Sequence, residues 1–437
     1  MNKFFTSPLR NQTKPVFLYK NHTIYGAKFT ASVNSLAALL SQSSKNKWAI
    51  FSADTFLFAI GFFALLKARK TIILPHNIQA ETLNNLDAEA FLFDDEIIPH
   101  QENPAQTNLQ SEEINPNSKI IFLTSGSGGT PKLINKNFGN LQMEVKDLLQ
   151  QFGEDFLNKT FIATVNHQHI YGLIFKLLLP LKAGNLINSH LTETFEELAN
   201  FQDAVLISSP AFLKRLPQNA EIPNMKVFSS GGLLKLDDAK NCASIFGDFP
   251  IEILGSTETG GIAYRRQKDG QIWHKFAAVE IKNGTENYLM VKSPYVFGDE
   301  FIATGDAAEL LDDGTFLLKG RIDRIVKIEE KRISLNEIEN NLLKHSFISS
   351  SYAIILDSSK RQIIGMAAQL SQDGENFLKE NSKSELNSIL RQHLLQYFEA
   401  IIIPRKWRFV KNIPINSQGK ILVNEIKDLF KNENSNH

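Results

Sequence analysis

"KIIFLTSGSGGTPKL", residues Lys119–Leu133, is the stretch on which the reading of this chain turns. Ile120, Ile121, Phe122 and Leu123 form an apolar run with β-branched and aromatic members, the signature of a buried strand. That run opens into Thr124, Ser125, Gly126, Ser127, Gly128, Gly129 and Thr130, and a single cation, Lys132, follows Pro131. Glycines let successive backbone N–H groups turn toward one point, hydroxyls add donors, and a lysine neutralises charge. Together they have the chemistry of a phosphate cradle. The spacing is neither the G-x-x-x-x-G-K-[ST] of the Walker loop nor the G-x-S-x-G of an esterase elbow. Taken alone, the stretch reads equally well as a flexible turn with an exposed lysine.

Outward from it, "TFIATV", "AVLISS", "MKVFSSGG" and "IEILGSTE" are further short apolar runs, each ending in small or polar residues. Helical patterns such as "NLQMEVKDLLQQF" lie between them. The alternation predicts an α/β fold with mostly parallel strands, whose ligands gather at the carboxyl ends. The polar stretch Pro99–Ser118 lacks apolar periodicity and is expected to be a surface loop. Beyond about Arg321 the pattern changes to paired strands and two amphipathic helices. One of these opens with a capping box, Ser334 to Glu337. This reads as a separate α+β unit of roughly a hundred residues. The terminal "KNENSNH" reads as frayed.

The 437 residues are 43% hydrophobic and 22% charged, enough for a large core and more than one domain. Lys plus Arg and Asp plus Glu both total 47, so nucleic acid and anionic membrane have no electrostatic footprint. Cys242 is the sole cysteine, which rules out an internal disulfide and a cysteine-based zinc cluster. The apolar run Phe56–Leu66 is shorter than the about 20 residues a membrane span needs, and it predicts a buried helix. The amino terminus lacks signal-peptide features. A cytoplasmic protein is expected.

"TSGSGGTPK" resembles the phosphate loop of the adenylate-forming superfamily, which contains acyl- and aryl-CoA synthetases, peptide-synthetase adenylation domains and luciferase. Other segments are similar to that family's motifs, in the family's order. They are "LKARKTIILP" (Leu66–Pro75), "NHQHIYGL" (Asn166–Leu173), "SSGGLL", "LGSTETGG", "TGD" (Thr304–Asp306), "KGRIDRIVKIEEKRISLNEIE" and "IPINSQGKI". The resemblance spans residues from about 20 to about 425. It implies a large adenylation domain of layered α/β subdomains over residues 1–322 and a small, mobile C-terminal α+β lid over residues 323–437. It also implies activation of a carboxylic acid by ATP and Mg2+ as an acyl-adenylate with release of pyrophosphate. Transfer to the thiol of CoA or of a phosphopantetheinyl carrier protein would follow.

The resemblance assigns roles residue by residue. Thr124 to Thr130 and Lys132 would hold the β- and γ-phosphates. Glu258 would ligate Mg2+, Thr257 would donate to the α-phosphate, and Gly231, Gly232, Leu254, Gly255 and Ser256 would line the nucleotide site. Asp306 would accept both ribose hydroxyls with Arg321 in support, and Asp323 would be the hinge. Lys420 would bridge the attacking carboxylate and the α-phosphate. His169, Tyr171, Gly172, Gly255 and Gly260 fall at the acid-binding positions, and His167 is expected to be structural. Pocket walls are expected from His169–Leu173, Ser229–Leu233 and Gly255–Ile262. Being small and apolar, they predict a fatty or aromatic acid.

Four positions depart from the family pattern. Leu254 replaces an aromatic that stacks on adenine, Gly128 a Thr or Ser, and Leu133 a glycine. Glu330 replaces a glycine beside the pantetheine tunnel, where a carboxylate would narrow the passage or repel free CoA. This favours a carrier protein as acceptor. An alternative from another class is a catalytically inactive nucleotide-binding regulatory protein. Retention of Lys420, Glu258, Asp306, Arg321 and Asp323 argues for activity.

Overall fold

The computed structural model describes residues 13–431 except 76, 105–113, 125–131, 286–287, 312, 322–323, 329–330, 359–360 and 416–420. The chain divides into two compact units. The first runs through Lys282 and adds Met290–Ile302 and Leu311–Phe316; the second comprises Asn283–Leu289, Ala303–Leu310 and Leu317–His437.

The first unit opens with the hairpin β1 (Pro15–Tyr19) and β2 (His22–Tyr25), then helix α1 (Gly26–Gln42). There follow β3 (Lys47–Ile50), α2 (Thr55–Lys67), β4 (Thr71–Leu74), β5 (Ala90–Leu92), α3 (Asp94–Glu102), β6 (Lys119–Thr124), β7 (Lys132–Asn137) and α4 (Phe138–Phe152). Next come β8 (Thr160–Ala163), β9 (Ile187–Asn188), β10 (Ala204–Ser208), β11 (Lys226–Ser229), α5 (Leu236–Phe246), β12 (Ile251–Ser256), β13 (Gly260–Arg266) and β14 (Ile272–Lys275).

One sheet has the order β5-β3-β4-β6-β7. Its first four strands are parallel, and β7 returns antiparallel so that Thr124 faces Lys132. The other contains the run β14-β13-β12-β11-β10-β8-β9-β1-β2. Strands β8, β10, β11 and β12 are parallel, with Ala163, Ile207, Phe228 and Ile251 in one row. Their carboxyl ends therefore lie along one edge, where open parallel sheets present ligand sites.

Every residue of α2 from Thr55 to Leu66 is buried, which explains why no polar face interrupts its sequence. The Asp54 side chain starts the helix by accepting bonds from the N–H groups of Phe56 and Leu57. Phe56 packs on Phe17 and Phe29, and Phe62 and Phe63 on Phe138. Each such burial stabilises by about 1.5–3 kcal/mol. Among the described residues, no helix is long and apolar enough to cross a membrane.

The expected loop Pro99–Ser118 begins too early. Helix α3 continues through Pro99 to Glu102, because Ile97 and Gln101 are buried on its inner face and the Glu96 carboxylate accepts from the Phe93 N–H. Proline removes one donor, but the tertiary contacts of its neighbours hold the turn.

β15 (Ile302–Leu310) and β16 (Thr315–Arg321), which lie mostly in the second unit, are hydrogen-bonded neighbours. A hairpin of β17 (Ile325–Ile328) and β18 (Lys331–Ser334) leads into α6 (Leu335–Leu342). Ser334 caps that helix through the Glu337 N–H. In the long hairpin of β19 (Ile348–Ser358) and β20 (Arg361–Leu370), β20 pairs in parallel with β21 (Lys406–Val410). Helix α7 (Gln372–Glu380) and helix α8 (Lys383–Leu395) follow β20 in the chain. Leu386, Leu390 and Leu394 of α8 join Ile338, Leu342, Met366 and Trp407 in the core. Helix α9 (Val423–Lys431) packs Ile426 and Phe430 against Tyr352 and Ile354.

Candidate active site

Side chains at the carboxyl ends of the parallel strands build a row of polar groups. Thr164 and Ser208 share a hydroxyl–hydroxyl bond of 2.8 Å, and the Ser230 hydroxyl donates to the Ile253 carbonyl at 2.9 Å. Ser230 thus ties the end of β11 to β12, and Gly231 follows it with φ +90°. A Cβ on Gly231 would meet nothing within 4 Å, so this glycine is chosen by backbone conformation and leaves open space.

Glu258 is exposed at the turn between β12 and β13. The turn is pinned from both sides. The Ser256 N–H donates to Thr259 Oγ1 at 3.1 Å, and the Thr259 N–H donates to Ser256 Oγ at 3.2 Å. Ser293 Oγ donates to the Thr259 carbonyl at 3.2 Å. The register shifts between Leu254 and Gly255, and a Cβ on Gly255 would sit 2.5 Å from the Gly260 carbonyl oxygen. Bulk is excluded so that the two strands close tightly behind Glu258.

Two buried charged side chains, Glu144 and Lys136, lie behind this turn. Glu144 Oε1 accepts the Gly261 N–H at 2.7 Å, and its other oxygen has no hydrogen-bond partner. Lys136, 1% exposed, donates to the Tyr295 carbonyl at 2.7 Å. Burial pushes the Lys136 ammonium down to about 8, while the charges of Glu144 and Glu258 pull it back up. Burial likewise raises the Glu144 carboxyl, and the Lys136 cation opposes it. Lys136 is on β7, the strand that starts at Lys132. The strand leaving the glycine-rich loop is therefore in electrostatic reach of Glu258.

His167 is buried, with Nδ1 bonded to Thr55 Oγ1 and Nε2 to the Ser52 carbonyl, both at 3.0 Å. The carbonyl requires a proton on Nε2, so Nδ1 accepts. Burial holds its pKa well below the ordinary value. The expectation of a structural histidine agrees with this geometry. His169 and Tyr171 are partly buried at the start of the following helical segment. The Tyr171 ring packs on Phe175 at 4.8 Å, and Phe175 on Phe228 at 5.6 Å. A Cβ on Gly172 would lie 2.0 Å from the Asn166 carbonyl oxygen, so only glycine permits this chain return.

In the second unit, the Asp306 N–H donates to Thr304 Oγ1 at 3.1 Å, and Thr304 Oγ1 donates to the Leu289 carbonyl at 3.1 Å. Arg321 Nη1 donates to the Thr304 carbonyl at 3.3 Å and lies 3.8 Å from Asp306 Oδ1. The "TGD" turn and the arginine of "GRID" are thereby brought together.

Within the first unit, Thr124 and Lys132 face each other across the hairpin, and Gly231, Gly232, Leu254, Gly255, Ser256, Thr257, Glu258 and Gly260 cluster around adjacent strand ends. Ser125, Gly126, Ser127, Gly128, Gly129, Thr130, Asp323, Glu330 and Lys420 lie outside the described residues. Among the described residues, no group of three His, Cys, Asp or Glu side chains is placed to hold a metal ion. An exposed lone carboxylate suits Mg2+, which takes one or two carboxylates and completes its shell with phosphates and water. Glu258 fits that requirement. Sequence reasoning missed Lys136 and Glu144. The available signal was Glu144 at helical spacing among the buried Leu141, Val145 and Leu148 of α4, a charge on an apolar stripe.

Residues 75–282 match the AMP-binding enzyme family. The chain is 26% identical over 407 residues to the D-alanine–D-alanyl carrier protein ligase of Listeria welshimeri, covering 80% of this chain and 76% of that protein. It is also 26% identical over 314 residues to a 4-coumarate–CoA ligase of Halorhodospira halophila, covering 70% and 75%. The fold matches ATP-bound MatB of Rhodopseudomonas palustris with a TM-score of 0.82 at 15% identity, over 99% of both chains. The family match covers β6, β7 and the Glu258 turn, and the similarity to the two ligases reaches well beyond it. The chain is thus similar, over most of its length, to adenylate-forming, AMP-binding enzymes.

Proposed function

We propose that this protein activates a carboxylic acid with ATP as an acyl-adenylate, releases pyrophosphate, and passes the acyl group to a pantetheine thiol. The observation that carries the reading is the link between β7 and the Glu258 turn. Lys136, four residues after Lys132, donates to the Tyr295 carbonyl, α4 holds the carbonyls of Pro294 and Val296 on either side, and α4 also bonds to the strand that follows Glu258. A phosphate-binding loop and a metal-binding carboxylate serving one nucleotide must be neighbours in this way.

Acid and polyanion repel each other, so the chain's task is mainly positioning and charge stabilisation. Lys132 and the loop before it hold the outer phosphates, and Thr257 donates to the α-phosphate. Bound at Glu258, Mg2+ would neutralise charge on the phosphate oxygens. Asp306 accepts the ribose hydroxyls, with Arg321 holding its orientation. Lys420 bridges carboxylate and α-phosphate, and residues 323–437 act as a lid hinged at Asp323.

The small and apolar residues of His169–Leu173, Ser229–Leu233 and Gly255–Ile262 support a fatty or aromatic acid. Glu330 and the similarity to a carrier protein ligase support a carrier-bound pantetheine as acceptor. Pyrophosphate release is to be measured over a panel of carboxylic acids, then thioester formation with CoA and with holo carrier protein. Acid-dependent pyrophosphate release is expected. No release with any acid would refute the function, and efficient transfer to CoA alone would refute the acceptor.

A further inference from the structure

A buried carboxylate with one oxygen unpaired is costly, and natural cores retain such groups where they hold something in place. Glu144 contacts two elements. Its Oε1 takes the Gly261 N–H, and a Cβ on Gly260 or Gly261 would come within 2.9 or 3.1 Å of its oxygens. The paired glycines after Glu258 thus let the carboxylate seat against bare backbone. The same end of α4 grips the segment behind the turn. Asn140 Nδ2 donates to the carbonyls of Pro294 and Val296 at 3.0 and 3.1 Å. Two turns further along, Asp147 accepts the Tyr295 hydroxyl at 2.6 Å. Lys136 completes the seat on the Tyr295 carbonyl, and β7 continues directly from it into α4 through the Asn137 cap.

We infer that Glu144 and Lys136 are positioning residues which lock the Glu258 turn to β7 and so set the site's response to magnesium. This rests on the reading of Glu258 given above. Both residues are buried behind the turn. They act by fixing where the Glu258 carboxylate stands relative to the strand that begins at Lys132. Groups behind a metal ligand commonly change metal affinity by about 10–100-fold when altered.

The test is a binding measurement by calorimetry on the full chain: ATP affinity with and without Mg2+, for wild type and for Glu144→Gln. Glutamine keeps an acceptor for Gly261 and removes the buried negative charge. The variant is expected to lose about tenfold of the magnesium-dependent gain in affinity, while metal-free ATP affinity stays within about twofold. A merely structural role would change both affinities together, and that result would overturn the inference. So would a folded variant with the full magnesium response. A wild type indifferent to Mg2+ would overturn the role of Glu258 as well, which separates the two failures. If Glu144→Gln does not fold, the double variant Lys136→Met, Glu144→Gln removes both charges together, and its affinities are judged by the same criteria.

Discussion

Gly305 and Arg321 are matched by shape. Gly305 has φ +77°, and a Cβ there would stand 3.0 Å from Arg321 Nη2. The guanidinium lies over the "TGD" turn because that turn has no side chain at its centre. Gly305→Ala is expected to strain the backbone by about 1–2 kcal/mol and displace the arginine from Asp306. ATP affinity measured by calorimetry should fall, with a modest drop in melting temperature. Unchanged affinity would remove Arg321 from the ribose-binding role.

Glu258→Gln keeps size and shape but removes the charge that suits Mg2+. Acid-dependent pyrophosphate release should fall by about a hundredfold, corresponding to about 2.7 kcal/mol of transition-state stabilisation. Steady-state assays over a magnesium titration check this, and a variant with the wild-type magnesium optimum would contradict it.

Lys420→Ala should lower ATP–pyrophosphate exchange by about a thousandfold, as expected for loss of a charge aimed at the transition state. Thioester formation from pre-made adenylate should persist. Equal loss of both half-reactions would count against a role confined to the first.

His167 is buried with its pKa well below the ordinary histidine value. The unfolded chain takes up a proton near pH 6.5, and the folded chain does not until its depressed pKa is reached. This group's share of stability is therefore complete above about pH 6.5 and declines as the pH falls below it. Urea midpoints of wild type and His167→Gln between pH 5 and 8 should show a shallower acid-side decline in the variant.

Glu252 and Arg265 form a buried two-point ion pair, at 2.9 and 3.0 Å, with Gln267 donating to the same carboxylate at 2.9 Å. Glu252→Ala leaves a guanidinium buried without its counter-charge and should cost about 3–5 kcal/mol of stability by chemical denaturation. A loss under about 1 kcal/mol would mean that Trp273, 4.6 Å beneath the guanidinium, suffices as a partner.

The strand Lys119–Thr124, the helix buried from Thr55 to Leu66 and the Ser334 cap were legible in the sequence. Each is written in residues that are adjacent or one helical turn apart, where backbone sterics and apolar periodicity act directly. The continuation of α3 through Pro99 was not legible, since it depends on what Ile97 and Gln101 pack against. The burial of Lys136 and Glu144 and the grip of α4 on the Glu258 turn were likewise hidden. Glu144 and Gly261 are 117 positions apart in the chain, and burial, which gives their charges meaning, exists only once distant segments have closed over them.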